Sequence, residues 1–316
     1  MREKRVWTDL GGSHTFPVER LDAEAWIRAH VKPAGPIELT HEQPWSTVLR
    51  VPLADGVAWF KACSRLQAFE PRLTVELFAR WPDRVPEVLA CDGIRGWLLM
   101  ADAGTRIGDL GNLPEYWCVM LPLYAELQRG EAVHAFDHLA HGVPDLRLDI
   151  LPARFDELLN QDLPLGAEDY EKLRVFAPRF EQLCSELSSQ PVPETIQHDD
   201  LHMYNVYAQG ERLRVLDWGD SSVSHPFASL VATFRFLEER NGITNGSPWR
   251  ARIRDSYLEP WGSGLTDVFE LAVRLGAFAH AIAAIRQRAA LEGAARARFD
   301  QDLAIRLRRA MLQVIA

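Results

Sequence analysis

The chain has 316 residues, of which 47% are hydrophobic and 25% charged, a composition typical of a globular protein with a sizeable core. Its formal net charge of −9, from 35 basic and 44 acidic residues, argues against a nucleic-acid partner, because such partners favour a basic surface. No uninterrupted apolar run reaches about 18 residues, so the sequence predicts no transmembrane helix.

The four cysteines, Cys63, Cys91, Cys118 and Cys184, are widely spaced and form no C-x-x-C unit. This spacing predicts free thiols in a reducing compartment, not a disulfide framework or a zinc site. Residues 1–9 lack the apolar stretch of a signal peptide. We therefore expect a cytoplasmic protein without membrane association, present as a monomer or weak homodimer.

The first third of the chain is rich in strand signals. A short amphipathic helix is predicted over residues 19–31, and strand-like runs follow over residues 37–62. Two of these runs flank Asp55-Gly56, a pair typical of a β-hairpin turn. Lysine is rare in this chain, and Lys61 lies inside the second run. Its apolar setting favours a functional lysine; the alternative is a surface residue on an edge strand.

The turn between the first two strand-like runs contains no glycine. Ser46 and Thr47 follow it, and their hydroxyl and backbone donors are able to cap a phosphate, although this pattern alone is unspecific. A helix is predicted over residues 69–81, where apolar residues recur at four-residue spacing. Pro71 is tolerated in a first helical turn but not later, which puts Glu70 at the helix start.

Residues 198–205 read His-Asp-Asp-Leu-His-Met-Tyr-Asn, which fits the H-x-D-L-x-x-x-N pattern of a kinase catalytic loop. Asp200 is able to accept the proton of a substrate hydroxyl. Asn205 and Asp217 supply the oxygen ligands that hold Mg²⁺ against nucleotide phosphates. Short apolar runs on either side of Gln209-Gly210-Glu211 predict a hairpin that returns Asp217 to Asn205.

Together with Asp217-Trp218-Gly219-Asp220 and His225-Pro226, this loop resembles the aminoglycoside phosphotransferase and choline kinase-type family, small-molecule kinases with a protein-kinase-like fold. The resemblance is clearest from Trp45 through Leu230. The usual family loop reads H-G-D-L-H-x-x-N, so Asp199 replaces a glycine. Ser229 stands where an aspartate often braces the catalytic loop, which implies weaker bracing here.

The resemblance implies ATP and Mg²⁺ as cofactors. Asp200 would be the catalytic base, and Asn205 and Asp217 the metal ligands. Lys61 would grip the nucleotide phosphates and pair with Glu70, with Glu76 in reserve, and adenine would meet the backbone of a hinge in residues 96–104. The implied nucleotide-binding positions are Lys61, Glu70, Ser46, Thr47, Met100, Ala101 and Ala103.

Beyond residue 103 helical patterns dominate. Helices are predicted over residues 114–129, 168–188, 268–288 and 299–314, and loops over residues 141–154 and 241–249. This segregation predicts an α+β class and, with the resemblance, a bilobal protein-kinase-like fold. We expect a small antiparallel-sheet N-lobe over residues 1–102 that binds nucleotide. A mainly helical C-lobe over residues 103–316 would carry the catalytic loop.

The predicted function is an ATP-dependent small-molecule kinase that transfers the γ-phosphate to a hydroxyl of an amine-bearing or sugar-like acceptor. Two acids near the base, Asp199 and Asp220, favour an amine-bearing acceptor. A neutral sugar, an amino acid derivative or a choline-like alcohol remains open. Weaker candidates for acceptor contacts are Glu238, Glu239, Asp267 and Glu270.

Two other functions fit parts of the sequence. A nucleotide-binding kinase homologue without turnover would explain Asp199, Ser229 and the glycine-free turn, but the catalytic residues are all present. A metal-dependent hydrolase built on His198, Asp200 and His202 would leave Lys61 unexplained. Three further histidines at helical spacing, His134, His138 and His141, are compatible with a zinc site but are typical of a helix-and-loop surface.

Overall fold

The N-terminal part of the protein is a small antiparallel sheet with two helices. The computed structural model describes residues 20–314; the segment tested for a signal peptide and the predicted first helical residue, Glu19, lie outside this range. The elements in chain order are α1 (Arg20–His30), β1 (Glu38–Gln43), β2 (Ser46–Leu53), β3 (Gly56–Cys63), α2 (Glu70–Arg80), β4 (Val88–Asp92) and β5 (Trp97–Ala101).

The five strands pair in the order β1-β2-β3-β5-β4, and every neighbouring pair is antiparallel. The predicted hairpin is confirmed: β2 and β3 pair from Leu53 opposite Gly56 to Ser46 opposite Cys63. Lys61 therefore lies on a central strand and not on an edge. One face of the sheet packs against α1 in a core that contains Ile27, Phe60 and Trp97.

The C-terminal part is mainly helical, with two small sheets around the catalytic loop. Its strands are β6 (Thr105–Arg106), β7 (Thr195–Gln197), β8 (Val206–Gln209), β9 (Arg212–Val215) and β10 (Ser222–Ser224). Its helices are α3 (Pro114–Glu131), α4 (Ala135–Ala140), α5 (Leu151–Leu159), α6 (Ala167–Ser188), α7 (Leu230–Asn241), α8 (Pro248–Leu258), α9 (Thr266–Arg288) and α10 (Gly293–Val314).

Two loop predictions were too long. Helix α5 begins at Leu151 and helix α8 at Pro248, inside segments expected to be irregular. Both helices carry proline in the first turn, where its missing N–H costs nothing, so proline here starts a helix and does not break one. Helix α10 begins before the predicted Phe299, at Gly293, because alanines favour helix without an apolar pattern.

The largest core joins the C-terminal helices and extends to the inner face of α2 through Leu73 and Leu77. Helix α9 is long and apolar enough, by length and composition, to cross a membrane, although the sequence predicted no such helix. However, 56% of its apolar window is buried inside the fold, where it packs with α5, α6 and α10. Burial of this kind is what a core helix shows, and the expected absence of membrane association stays a prediction.

Candidate active site

The catalytic loop lies between β7 and β8, and the hairpin that follows brings its ends together. Strands β8 and β9 pair with Val206 opposite Val215, as predicted. The Leu216 amide then donates to the Asn205 carbonyl at 2.9 Å. Asp217 consequently lies beside Asn205 although 12 positions separate them in the sequence.

The His198 side chain stabilises this loop through hydrogen bonds to its backbone and to Leu216. The side chain is fully buried, with Nε2 2.8 Å from the Leu216 carbonyl and Nδ1 3.3 Å from the Asp200 amide. The geometry requires Nε2 to donate and Nδ1 to accept, so the ring is neutral. Burial lowers the pKa of His198, in agreement with this tautomer. Because both nitrogens are engaged, His198 has no atom left to bind a catalytic metal.

Asp200 points into the cleft with its side chain 32% exposed. One carboxylate oxygen lies 3.1 Å from His202 Nε2 and 3.4 Å from Asn205 Nδ2. Desolvation raises the pKa of Asp200, but the charge and hydrogen bond of His202 outweigh it and hold the pKa well below its usual range. The carboxylate is therefore ionised, the state in which it accepts a proton.

The two predicted metal ligands face the same space. Asn205 Nδ2 donates to the Asp200 carbonyl at 2.9 Å, which leaves its amide oxygen free for a cation. Asp217 adopts φ 67° and keeps 54% of its side chain exposed to the cleft. No three His, Cys, Asp or Glu side chains converge into a metal site anywhere in residues 20–314. One carboxylate and one amide suit Mg²⁺, which usually binds few protein ligands together with substrate phosphates.

Lys61 connects the two lobes. Its ammonium lies 2.6 and 2.7 Å from the two carboxylate oxygens of Glu70 and 2.5 Å from Asp217 Oδ1. Desolvation lowers the pKa of Lys61, but the charges of Asp217 and Glu70 outweigh it, so the lysine stays protonated. Desolvation raises the pKa of Asp217, and Lys61 more than offsets it. Glu76, the alternative candidate for the partner of Lys61, lies instead beside Arg72 and His141.

Gly219 is a glycine because of a close approach, not because of a turn. A Cβ at this position would lie 2.6–2.7 Å from side-chain atoms of Gln67 and Glu70. The glycine thus lets the start of α2 and the segment before it contact the segment that carries Asp217, the predicted metal ligand. Next to it, Asp220 accepts hydrogen bonds from Gln67 at 3.1 Å and from Gln287 at 2.6 Å.

Asp199, where the family usually has glycine, adopts the left-handed conformation with φ 60°. Aspartate tolerates this region better than most residues do, because its short polar side chain bonds locally. The carboxylate is 4% exposed and accepts a hydrogen bond from Ser222 Oγ at 2.5 Å. Burial raises its pKa to about 7. It therefore lies beneath the loop and does not face an acceptor in the cleft.

Ser229 braces the catalytic loop through an intermediary. Its hydroxyl is 2.9 Å from the Tyr124 hydroxyl, which accepts from the His198 amide at 2.9 Å. Gln128 Nε2 donates to Ser229 Oγ at 3.1 Å, and Tyr257 donates to Gln128 Oε1 at 2.6 Å. The sequence predicted weaker bracing by Ser229. In the structure a buried hydrogen-bond network braces the loop, and the long Tyr124 side chain spans the distance between Ser229 and the loop. No local sequence motif predicted that Tyr124 and Gln128 belong to this network.

The other predicted nucleotide-binding positions lie in the N-terminal sheet or in the segment that follows it. The Ala101 amide donates to the Glu87 carbonyl at 2.9 Å, whereas the buried Ala103 amide donates no hydrogen bond within residues 20–314. Met100 is buried beside them. The glycine-free turn is a tight hairpin at Pro44-Trp45, and Trp45 O accepts from the Ser64 amide at 2.8 Å. Ser46 and Thr47 follow the turn in β2, with Ser46 buried and Thr47 half-buried.

The remaining sequence candidates have other contacts. His138 is buried against Glu131, and its Nδ1 also lies 3.9 Å from the Glu76 carboxylate. His141 Nδ1 lies 3.0 Å from the same carboxylate, whereas His134 meets Asp137, so the three histidines do not converge on one point. Glu238 pairs with Arg309, and Glu270 lies 3.4 Å from Arg254. Asp267 is exposed at the start of α9.

This combination of a lysine–glutamate pair, a catalytic loop and a metal-binding segment between two lobes defines a kinase-like phosphotransferase. The model of the phosphotransferase enzyme family matches residues 37–270, about three quarters of the chain. The chain therefore belongs to that family. No curated protein sequence matches it.

Solved structures share the protein-kinase-like fold at low identity. A choline/ethanolamine kinase family protein from Mesorhizobium loti aligns with a TM-score of 0.62 and 14% identity, over 92% of this chain and 95% of that one. The GDP and kanamycin complex of APH(2″)-IIIa aligns at 0.63 and 15%, over 93% and 100%. Macrolide 2′-phosphotransferase type I aligns at 0.60 and 16%, over 91% and 98%. The three proteins are associated with different substrates by name, so the likeness leaves the acceptor open.

Proposed function

We propose that the protein is an ATP- and Mg²⁺-dependent kinase that phosphorylates a hydroxyl of a small molecule. The observation that carries the proposal is the contact of Lys61 with Glu70 and Asp217 across the cleft, at 2.5–2.7 Å, with ionised Asp200 in the same space. Family membership and nucleotide-bound neighbours support it.

In this proposal each residue has one task. Asp200 accepts the acceptor hydroxyl's proton while that oxygen bonds to the γ-phosphorus and the bond to the β,γ-bridging oxygen breaks, releasing ADP. Lys61, held by Glu70, orients the phosphates. Asp217 and the Asn205 amide oxygen would hold Mg²⁺, which neutralises phosphate charge when bound. Positioning supplies most of the rate enhancement, because the transition state of phosphoryl transfer is loose.

The proposed acceptor is a small hydroxyl compound. The hypothesis that it carries an amine now rests on one acidic residue instead of two. It rested on Asp199 and Asp220, but Asp199 is buried against Ser222. Asp220 still borders the cleft, although two glutamine amides already hold one of its oxygens. Sugar-like and amino acid-like acceptors are therefore tested alongside amine-bearing ones, with no class preferred.

The experiment is release of ADP from Mg-ATP against a panel of aminoglycosides, amino sugars, neutral sugars, choline and hydroxy acids. Asp200→Asn serves as control, because it keeps the size of the side chain and removes the base. We expect acceptor-dependent ADP release that the variant lowers by about 10²–10⁴-fold. Binding of Mg-ATP without release for any acceptor would instead support a nucleotide-binding homologue, and equal rates in the variant would refute the role of Asp200.

A further inference from the structure

A second charged region lies beside the catalytic loop, in a cavity between α7, α8, α9 and α10. The cavity volume is about 80 Å³, room for several water-sized groups when each needs about 10–15 Å³. A space of this size admits a small polar group. The charged and titratable side chains that line it are Arg235, Glu238, Arg250, His280, Arg306 and Arg309.

The cations of this cavity outnumber its anions. Glu238, the acid among the lining residues, is already paired with Arg309. Arg250 packs its guanidinium 3.8 Å from the centre of the Phe234 ring. Arg235 and Arg306 pair with no carboxylate within residues 20–314, although the whole chain carries a net charge of −9. This excess of positive charge is therefore local.

Arg235 is the least satisfied of these cations. Its Nε atom is buried without a hydrogen-bond partner in the described part of the chain. Desolvation, followed by repulsion from Arg306, lowers its pKa to about 10. Arg235 is half-buried, and desolvating a guanidinium without a paired carboxylate is costly, which favours binding of an anion from solution.

The cavity connects with the catalytic loop through His280. Its Nε2 donates to the Asp199 carbonyl, one residue before the base. Burial lowers the pKa of His280 to about 3, so the ring is neutral and Nδ1 is an acceptor. Nδ1 makes no hydrogen bond among residues 20–314, and His280 lines the cavity. The charge of Asp200 also acts on Arg235 and raises its pKa, against the larger effect of desolvation.

We propose that Arg235 and Arg306 form an anion subsite for the acceptor, which is a small hydroxyl compound bearing a carboxylate or a phosphate group. The anionic group binds to the two guanidinium groups, and the acceptor hydroxyl lies toward His280 and Asp200. This inference rests on the proposed kinase function and names the acceptor class of that same site.

The cleft near Asp199 and Asp220 is consistent with this assignment. Arg286, on the cleft side of α9, acts on both carboxylates through its charge, and its own Nε is buried without a partner in the described residues. The two acids predicted to hold an amine thus have a cation beside them already. An added ammonium at Asp220 would compete with Arg286 for that carboxylate.

The first test compares three acceptors that differ in charge: glycerol, glycerate and glycerol 3-phosphate. The two anions distinguish a carboxylate from a phosphate subsite. We expect a higher kcat/KM for at least one anion than for glycerol, and Arg306→Gln or Arg235→Gln should raise the KM for that anion about tenfold or more with little change in kcat. The matched control is Arg298→Gln, at an exposed position of α10 outside the cavity, which should leave KM unchanged.

A kinase that prefers a neutral or amine-bearing acceptor from the wider panel, with KM unaffected by Arg306→Gln, would overturn the anion subsite and leave the kinase proposal intact. A second measurement does not depend on turnover. Inorganic phosphate is titrated calorimetrically into protein saturated with Mg²⁺ and a non-hydrolysable ATP analogue. Binding that weakens about tenfold or more in Arg235→Gln but not in Arg298→Gln supports the subsite. No phosphate binding, or equal binding in both variants, overturns it.

Discussion

Lys61 is buried between two carboxylates at 2.5–2.7 Å, whereas Arg235 and Arg306 line a cavity without any carboxylate partner in the described chain. The first region is complete in the sense that each charged side chain contacts an oppositely charged one, with Lys61 between Glu70 and Asp217. The second region is incomplete, since a favourable counter-charge has to come from outside. The difference suggests that Arg235 and Arg306, unlike Lys61, need an added anion to balance their charge.

Removing a charge from the complete region should have the largest effect. Lys61→Met leaves Glu70 buried without its partner, and we expect the free energy of unfolding to fall by about 3–5 kcal/mol. Lys61→Met combined with Glu70→Gln should regain part of that stability but no turnover. Urea unfolding and ADP release measure the two effects. The exposed Lys172→Met is the matched control and should leave both unchanged.

The substitution Tyr124→Phe should destabilise the protein less than Lys61→Met does. It removes the hydroxyl between Ser229 and the buried His198 amide, so we expect a loss of about 1–3 kcal/mol in the free energy of unfolding. The kcat should fall while the KM for Mg-ATP stays constant, because the loop is displaced and the nucleotide side is not. Tyr116→Phe, half-buried on the same helix, is the control. A stable variant with normal kcat would show that the loop does not need this brace.

The pH dependence tests a buried charge that lacks a cation within bonding distance. Asp199 is protonated in the folded protein below its raised pKa of about 7, whereas the unfolded chain is already ionised above about pH 4. The folded state then holds more protons at Asp199, so the contribution of this residue to the free energy of unfolding falls by about 1 kcal/mol between pH 6 and pH 7. Urea unfolding at both pH values should show this decline in the native protein and a smaller one in Asp199→Asn. An unchanged slope in the variant would remove Asp199 as its source.

The smallest effect is expected in the incomplete region. Arg306→Gln removes a cation that has no partner to leave behind, so the free energy of unfolding should change by less than about 0.5 kcal/mol. Arg288→Gln is the contrast, because Arg288 bonds Asp300 and the Asp162 carbonyl at 2.6 Å, and its loss should cost about 1.5–3 kcal/mol. Equal losses in the two variants, measured by urea unfolding, would erase the distinction between paired and unpaired arginines.

Local sequence was sufficient for the fold class and for the loop that carries Asp200. The motif fits because base, metal ligands and hairpin lie within a short stretch, where chain geometry alone brings them together. The Lys61–Glu70 pair could also be predicted from the sequence, because Pro71 limits where the helix starts. The roles assigned to these residues stay predictions until variants are assayed.

Contacts between distant segments were not predictable in this way. Tyr124 reaches the loop from α3, and His280 reaches it from α9, with 74 and 81 positions between the partners. Neither residue belongs to a recognisable pattern, because its role depends on how helices pack. The same holds for Asp199: its sequence position next to the base suggested acceptor binding, but its left-handed backbone turns the carboxylate toward Ser222.

The most direct test of the account is to identify the product of the reaction by ³¹P NMR. The protein is incubated with Mg-ATP and the acceptor that gives the greatest ADP release, and Asp200→Asn is run in parallel. We predict a new phosphomonoester resonance that grows with the ADP signal in the native protein and is missing in the variant. Inorganic phosphate as the sole product, or an equal phosphomonoester signal in Asp200→Asn, would contradict a kinase that acts through this aspartate.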